Sequence, residues 1–190
     1  MGKKANYETL YFKNEKTGKL IIDVALENYL EFFHEWDNAV FKKRDMHPEL
    51  VDFLNLCSEE IPIKIGLEIK FYIENEQMNK EKEDLVRTGY YNHFTSLNCS
   101  DRKKEKRIIT SSGILLLISL ALLLFYTILS GNAPSNILSS VLLESLLIGG
   151  WVLTWEAFHG IAIDIIEPRR RRKELDRFLR ADISFRYSIQ

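Results

Sequence analysis

A chain of 190 residues with a formal charge of −1 and 46% hydrophobic residues is long enough for one ordinary domain plus an appendage. That composition excludes a collagen-like, disordered or disulfide-dense chain. The averages hide an asymmetry, because residues 1–100 hold 13 Lys/Arg against 18 Asp/Glu and residues 101–190 hold 13 against 9, with a long uncharged stretch in the second half.

Residues 1–100 read as a cytosolic α+β domain, a small antiparallel or mixed sheet with packed helices. Tyr7 to Lys13 and Lys19 to Ala25 are rich in β-branched and aromatic residues. Asn14-Glu15-Lys16-Thr17-Gly18 lies between them with glycine in a hairpin position, which predicts a β-hairpin. The aromatics of Asn28 to Arg44 (Tyr29, Phe32, Phe33, Trp36, Phe41) predict a segment packed over the sheet. A helix is expected from His47-Pro48-Glu49-Leu50 to about Glu60, with its N-cap near Asp45 and a stripe of Leu50, Phe53, Leu54 and Cys57. From Ile61 to Ile73 every odd position is apolar, which predicts a long strand with one buried face. From about Asn79 the pattern is helical, with Leu85, Tyr90 and Phe94 as core contacts, and it can run on into the next segment as one long helix.

Residues 101–131 form a basic juxtamembrane segment and a first span. Ile108 to Ser130 is 23 residues without a charged side chain, about 34 Å of helix, enough for a hydrocarbon core of about 30 Å. Residues 136–158 form a second span, reached through a short break of turn formers, Gly131 to Asn136. Residues 159–190 comprise an interfacial segment, an arginine run, and a C-terminal helix and strand. Pro168 is expected to stop the helix. Ile183, Phe185, Tyr187 and Ile189 alternate with polar residues. A lone strand would leave its backbone groups unpaired, so this tail is expected to return to the sheet of the head.

Basic clusters flank the pair of spans: Arg102, Lys103, Lys104, Lys106 and Arg107 before it, and Arg169, Arg170, Arg171, Arg172 and Lys173 after it. With an uncharged loop between the spans, the positive-inside rule puts both termini in the cytoplasm of a cell inner (plasma) membrane. These clusters read as anchors to anionic headgroups rather than nucleic-acid patches, and the acidic head argues against broad nucleic-acid binding. No cleaved signal peptide or myristoylation signal is expected. Cys57 and Cys99 are expected to be reduced thiols in the cytosolic part.

Glu144 lies inside the second span, where a carboxylate costs about 2.5–3.5 kcal/mol on insertion scales. Ser140, Glu144, Trp151 and Trp155 fall near one helical face. Three readings stand: a polar lining of a path in an oligomer, a hydrogen bond to Ser119 or Thr127 that holds spans together, or a protonated, inert acid. Trp151, Trp155 and Phe158 fit an aromatic belt. Asp37 and Phe41 to Asp45 form an ion-paired surface loop or a polar pocket. No catalytic, cofactor or metal constellation is found: the four histidines are scattered, and there is no phosphate loop or nucleophile elbow.

The segment Phe41-Lys42-Lys43-Arg44-Asp45-Met46-His47-Pro48-Glu49, two spans, and then Trp155, Asp164, Pro168 and Arg169 to Arg172 resemble uncharacterised small bacterial two-span membrane proteins with a cytosolic α+β head. In plan the chain is also similar to two-span membrane effectors of anti-phage systems, where a cytosolic sensor governs a pore or membrane lesion. The first resemblance bears on topology alone. A buried acid in a hairpin too small to form a path by itself, with no acid/base or nucleophile set, points to a non-enzymatic, homo-oligomeric channel-like effector. The likeness in plan to anti-phage effectors implies bacterial defence and an unidentified cytosolic ligand or protein partner. A membrane-anchored adaptor whose spans only tether is the other reading.

Overall fold

Leu67, Ile69, Phe71 and Ile73 alternate with Glu68, Lys70 and Tyr72, and this run becomes the middle strand of a three-stranded sheet. The computed structural model describes residues 7–34, 45–131 and 136–188. In chain order these form α1 (Tyr7–Leu10), β1 (Leu20–Leu26), a short 3-10 turn (Tyr29–Phe32), α2 (Pro48–Glu60), β2 (Leu67–Ile73), α3 (Lys80–Ser130), α4 (Ile137–His159), a π turn (Gly160–Asp164), α5 (Ile166–Leu179) and β3 (Asp182–Tyr187). The chain divides into two units: a head of residues 1–99 with 172–190, and a helical unit of residues 100–171.

The head is α+β, but its sheet is parallel throughout, not antiparallel or mixed. The expected hairpin accounts for the difference. Its turn forms, with Gly18 at φ 70° and the Asn14 side chain accepting from the Lys16 and Thr17 amides. Yet Tyr7–Leu10 is helical, and only one antiparallel bridge, Lys13 to Leu20, remains. β1 pairs instead with β2, across a connection long enough to hold α2, as parallel strands require.

The second strand is also shorter than its alternation suggested. Pro62 has no amide hydrogen to give a ladder, and its carbonyl accepts from Ile65 in a turn, so pairing starts at Leu67. The tail pairs with β2 as β3, with Ile183 beside Ile69 and Phe185 beside Phe71.

One face of the sheet carries Ile22, Val24, Ile69, Phe71 and Ile183, all buried. Against it pack Leu50, Leu54 and Cys57 of α2, Val86, Tyr90 and Phe94 of α3, and Leu175 and Phe178 of α5. The spacing of Val86, Tyr90 and Phe94 puts them on one helix face. Phe94 stacks on Phe178 at 4.5 Å between ring centroids, and the Tyr90 hydroxyl donates to the Phe178 carbonyl at 3.1 Å. Phe53 is largely exposed, so the α2 stripe is narrower than expected. The residue capping α2 is His47, whose side chain makes no capping bond, and Pro48 occupies the first turn. Tyr29, Phe32 and Phe33 are buried in the core; Trp36 and Phe41 lie outside the described residues.

Pro168 does not stop the second apolar helix. It sits in the first turn of α5, directly after the π turn. A proline early in a helix removes an amide with little loss, and a π turn absorbs local mismatch in the ladder.

Candidate functional site

Two helices are long and apolar enough to cross a membrane, one within Lys80–Ser130 and one within Ile137–Leu179, with mean hydropathy 2.5 and 1.8 in their most apolar windows. Only 11% and 6% of those windows is buried. A core helix of a soluble protein would be mostly buried, so the low values favour a lipid-facing pair.

Within the helical unit, α3 and α4 meet through small residues. Ser112, Ser119, Gly150, Ala157 and Gly160 are all buried. A Cβ at Gly150 would stand 2.7 Å from Leu123 Cδ2, and one at Gly160 would collide with the Ser112 hydroxyl, whereas Gly149 and Gly113 have open space. Small residues let helix backbones approach where lipid removes the hydrophobic drive for association. The Ser119 and Thr127 hydroxyls donate to the Leu116 and Leu123 carbonyls of their own helix, at 2.8 and 2.9 Å. Glu144 therefore does not bond either of them within one chain.

Glu144 is exposed and makes no hydrogen bond or ion pair among the described residues. Six residues separate it from Gly150, so at about 100° per residue it lies roughly 120° around α4 from the seam. Ser140, Trp151 and Trp155 are exposed on the same side, the two tryptophans at 64% and 70%. The Ser140 hydroxyl donates to the Asn136 carbonyl at 3.3 Å. Ser140, Glu144, Trp151 and Trp155 thus share one exposed side of α4, with Glu144 unpartnered among the described residues.

The flanking charges have an internal order that runs of Lys and Arg conceal. Asp101 and Glu105 are buried acids inside the first basic cluster. Arg169 reaches Glu105 at 3.1 Å, Arg171 reaches Asp101 at 3.3 Å, and Lys104 reaches Asp101 at 3.4 Å. Arg102, Lys103, Lys106 and Arg107 remain exposed, and so do Arg170 and Lys173. Near the end of α4, His159 lies 3.4 Å from Asp164 across the π turn.

In the head, an open groove of about 790 Å³ lies at the C-terminal end of β1, lined by Leu26, Asn28, Glu31, His47 and Glu49 among others. Of the expected surface loop or polar pocket of Asp37 and Phe41 to Asp45, Asp37 and Phe41 to Arg44 lie outside the described residues, and Asp45 is exposed with its carboxylate 3.7 Å from His93 Nδ1. Among the described residues no group of three or more His, Cys, Asp or Glu is placed to hold a metal. A second feature went unread in the sequence. Arg177 is buried, and its guanidinium donates to the carbonyls of Ser58, Ile61 (3.0 Å) and Pro62 (3.1 Å) and to the Ser58 hydroxyl. Ser58 and its neighbours end α2, so Arg177 supplies the donors that the last helical carbonyls lack. Burial pulls its guanidinium below the usual value. Comparison with family models, curated proteins and solved structures finds no match for this chain.

Proposed function

We propose that the chain is an oligomeric, non-enzymatic membrane protein of the bacterial inner membrane, with both termini in the cytoplasm. Its head senses a ligand or drives assembly, and the Ser140–Glu144–Trp151 faces of several copies gather around a transmembrane path. The single observation that carries this reading is Glu144: an apolar-span carboxylate with no partner among the described residues of its own chain, turned well away from the helix seam. An acid in lipid demands a partner or water, and two helices are too few to enclose water, so further copies are the source. The plan is that of two-span anti-phage effectors, and defence is the setting it suggests. Exposed Lys/Arg residues at the span ends support anchoring to anionic lipid on the cytoplasmic side.

Flux of monovalent cations from liposomes holding the purified chain tests the reading. Glu144→Gln and Glu144→Ala are expected to lower flux at least tenfold while the particle mass in native lipid stays that of an oligomer. Unchanged flux in both variants would remove the path. A monomer in lipid would favour the second reading, a tether for a cytosolic partner, which the self-sufficient small-residue seam of the α3–α4 pair also accommodates.

A further inference from the structure

A second groove of the head, about 480 Å³ and open to solvent, is lined by Lys19, Lys64, Lys173, Arg177 and Arg180. Asp176 is the one acid in its wall, and it accepts from the Asn98 amide at 2.6 Å. Lys19 is neutralised by Asp182 at 2.6 Å. Lys64, Lys173 and Arg180 make no ion pair among the described residues. Arg177 is 93% buried (7% exposed), its two terminal nitrogens are held by the end of α2, and its Nε–H has no acceptor. Three exposed, uncompensated cations lining one groove, over a buried and fixed guanidinium, make a positive site suited to oxyanions. We propose that this groove binds a phosphate-bearing ligand, with the Lys64, Lys173 and Arg180 charges as its holders and the buried Arg177 guanidinium adding positive charge beneath them.

A single carboxylate would leave most of this charge unmatched, whereas a phosphate carries more charge and several acceptor oxygens. The source is either a free phosphorylated molecule or the headgroup of an anionic lipid, since Lys173 closes the arginine run that follows the second span. The inference gives the sensing head of the proposed function a ligand class, and it rests on that reading only for the step from binding to the spans.

The test uses the full chain in nanodiscs of phosphatidylcholine, titrated with pyrophosphate by calorimetry at low ionic strength. One saturable site per chain is expected, weakened at least tenfold in a Lys64→Glu, Arg180→Glu double variant whose thermal unfolding is unchanged. Both residues are exposed, so this variant keeps the Arg177 contacts and folds where Arg177→Gln does not. A second arm compares reductive methylation of Lys64 and Lys173 in phosphatidylcholine discs and in discs containing phosphatidylglycerol. Severalfold protection by phosphatidylglycerol without pyrophosphate binding assigns the site to a lipid headgroup, and pyrophosphate binding assigns it to a free phosphate. Absence of both, equal affinity in the double variant, or displacement by polyglutamate alone overturns the proposal. Binding by a chain without cation flux leaves the groove standing and removes the pore; flux without binding does the reverse.

Discussion

In the head, α3 turns Val86, Tyr90 and Phe94 into a shared core, each fully buried; further along, the same helix buries Ser112 and Ser119 and leaves Leu117, Leu124 and Phe125 more than half exposed. The partner elements follow suit. Phe71, Phe178 and Ile183 share the core of the first stretch, while Gly150 and Gly160 meet the second. Large apolar groups inside and polar groups outside are what water selects. Small groups inside and large apolar groups outside are what lipid selects, because hydrocarbon gains nothing by hiding leucine from leucine. One continuous helix thus carries the burial pattern of a water-soluble core in the head and, further along, the pattern suited to lipid in a stretch long and apolar enough to cross a membrane. The change occurs around the buried acids Asp101 and Glu105.

The contrast is broken most severely at the aromatic stack of the head. Phe94→Ala removes a fully buried ring packed on Tyr90 and Phe178, an expected loss of about 3–5 kcal/mol. Guanidinium unfolding of the full chain in mild detergent, followed by near-UV circular dichroism, measures it. Leu124→Ala, outward-facing, is expected to change the same midpoint by less than about 0.5 kcal/mol. Equal losses at the two positions would erase the distinction between the units.

Inside the helical unit the sharpest contrast is between adjacent glycines. Gly150→Leu forces side-chain volume against Leu123 and Ser119, whereas Gly149→Leu enters open space. Overpacking of this kind costs about 1–3 kcal/mol. Cysteines replacing Ser112 and Gly160, whose Cβ atoms would stand 3.5 Å apart, should crosslink in the parent, and that crosslink should weaken in Gly150→Leu alone. If both glycine variants crosslink alike, the seam is misplaced.

A smaller effect belongs to the charged end of this unit. Glu105 is nearly buried, but its partner Arg169 is about half exposed, so screening limits the pair to about 1 kcal/mol. Glu105→Gln should lower the unfolding midpoint at low salt, with the difference from the parent shrinking at 0.5 M salt. A salt-independent loss would instead indicate packing at this position.

How much of this was legible in the sequence depends on the range over which each signal acts. The two apolar stretches, the head helix with Tyr90 and Phe94, and the alternation of Leu67 to Ile73 are local patterns, and each corresponds to an element. The tail alternation at Ile183 and Phe185 corresponds to β3, because unpaired backbone groups leave a strand little choice but a sheet. Strand direction was misread, since a turn sequence such as Asn14 to Gly18 reports its own geometry and says nothing of whether Tyr7–Leu10 extends. Alternation was read through Pro62, which a ladder does not tolerate. Asp101 and Glu105 were hidden by the cations around them, although acids within a basic run are themselves a signal of internal pairing. Arg177 was not visible at all: its partners are backbone carbonyls of Ser58, Ile61 and Pro62, and carbonyls leave no mark on composition.

Alkaline pH separates the two units through protons alone. Burial holds the Tyr90 phenol well above its ordinary value of 10.0. In the unfolded chain the phenol ionises near that ordinary value, so above it the unfolded state binds fewer protons than the folded one, and stability falls as pH rises. Below it both states are protonated and the contribution is fully present. The head should therefore lose stability progressively above about pH 10, seen as a falling guanidinium midpoint. Tyr90→Phe keeps the ring but gives up the bond to the Phe178 carbonyl, about 1 kcal/mol at neutral pH, and should show a shallower alkaline decline. The only tyrosine of the helical unit, Tyr126, lies in its apolar stretch, so seam crosslinking should persist at a pH where the near-UV signal of the head is fading. Simultaneous loss of both signals, or an unchanged alkaline slope in Tyr90→Phe, would show that the two units do not melt by separate physics.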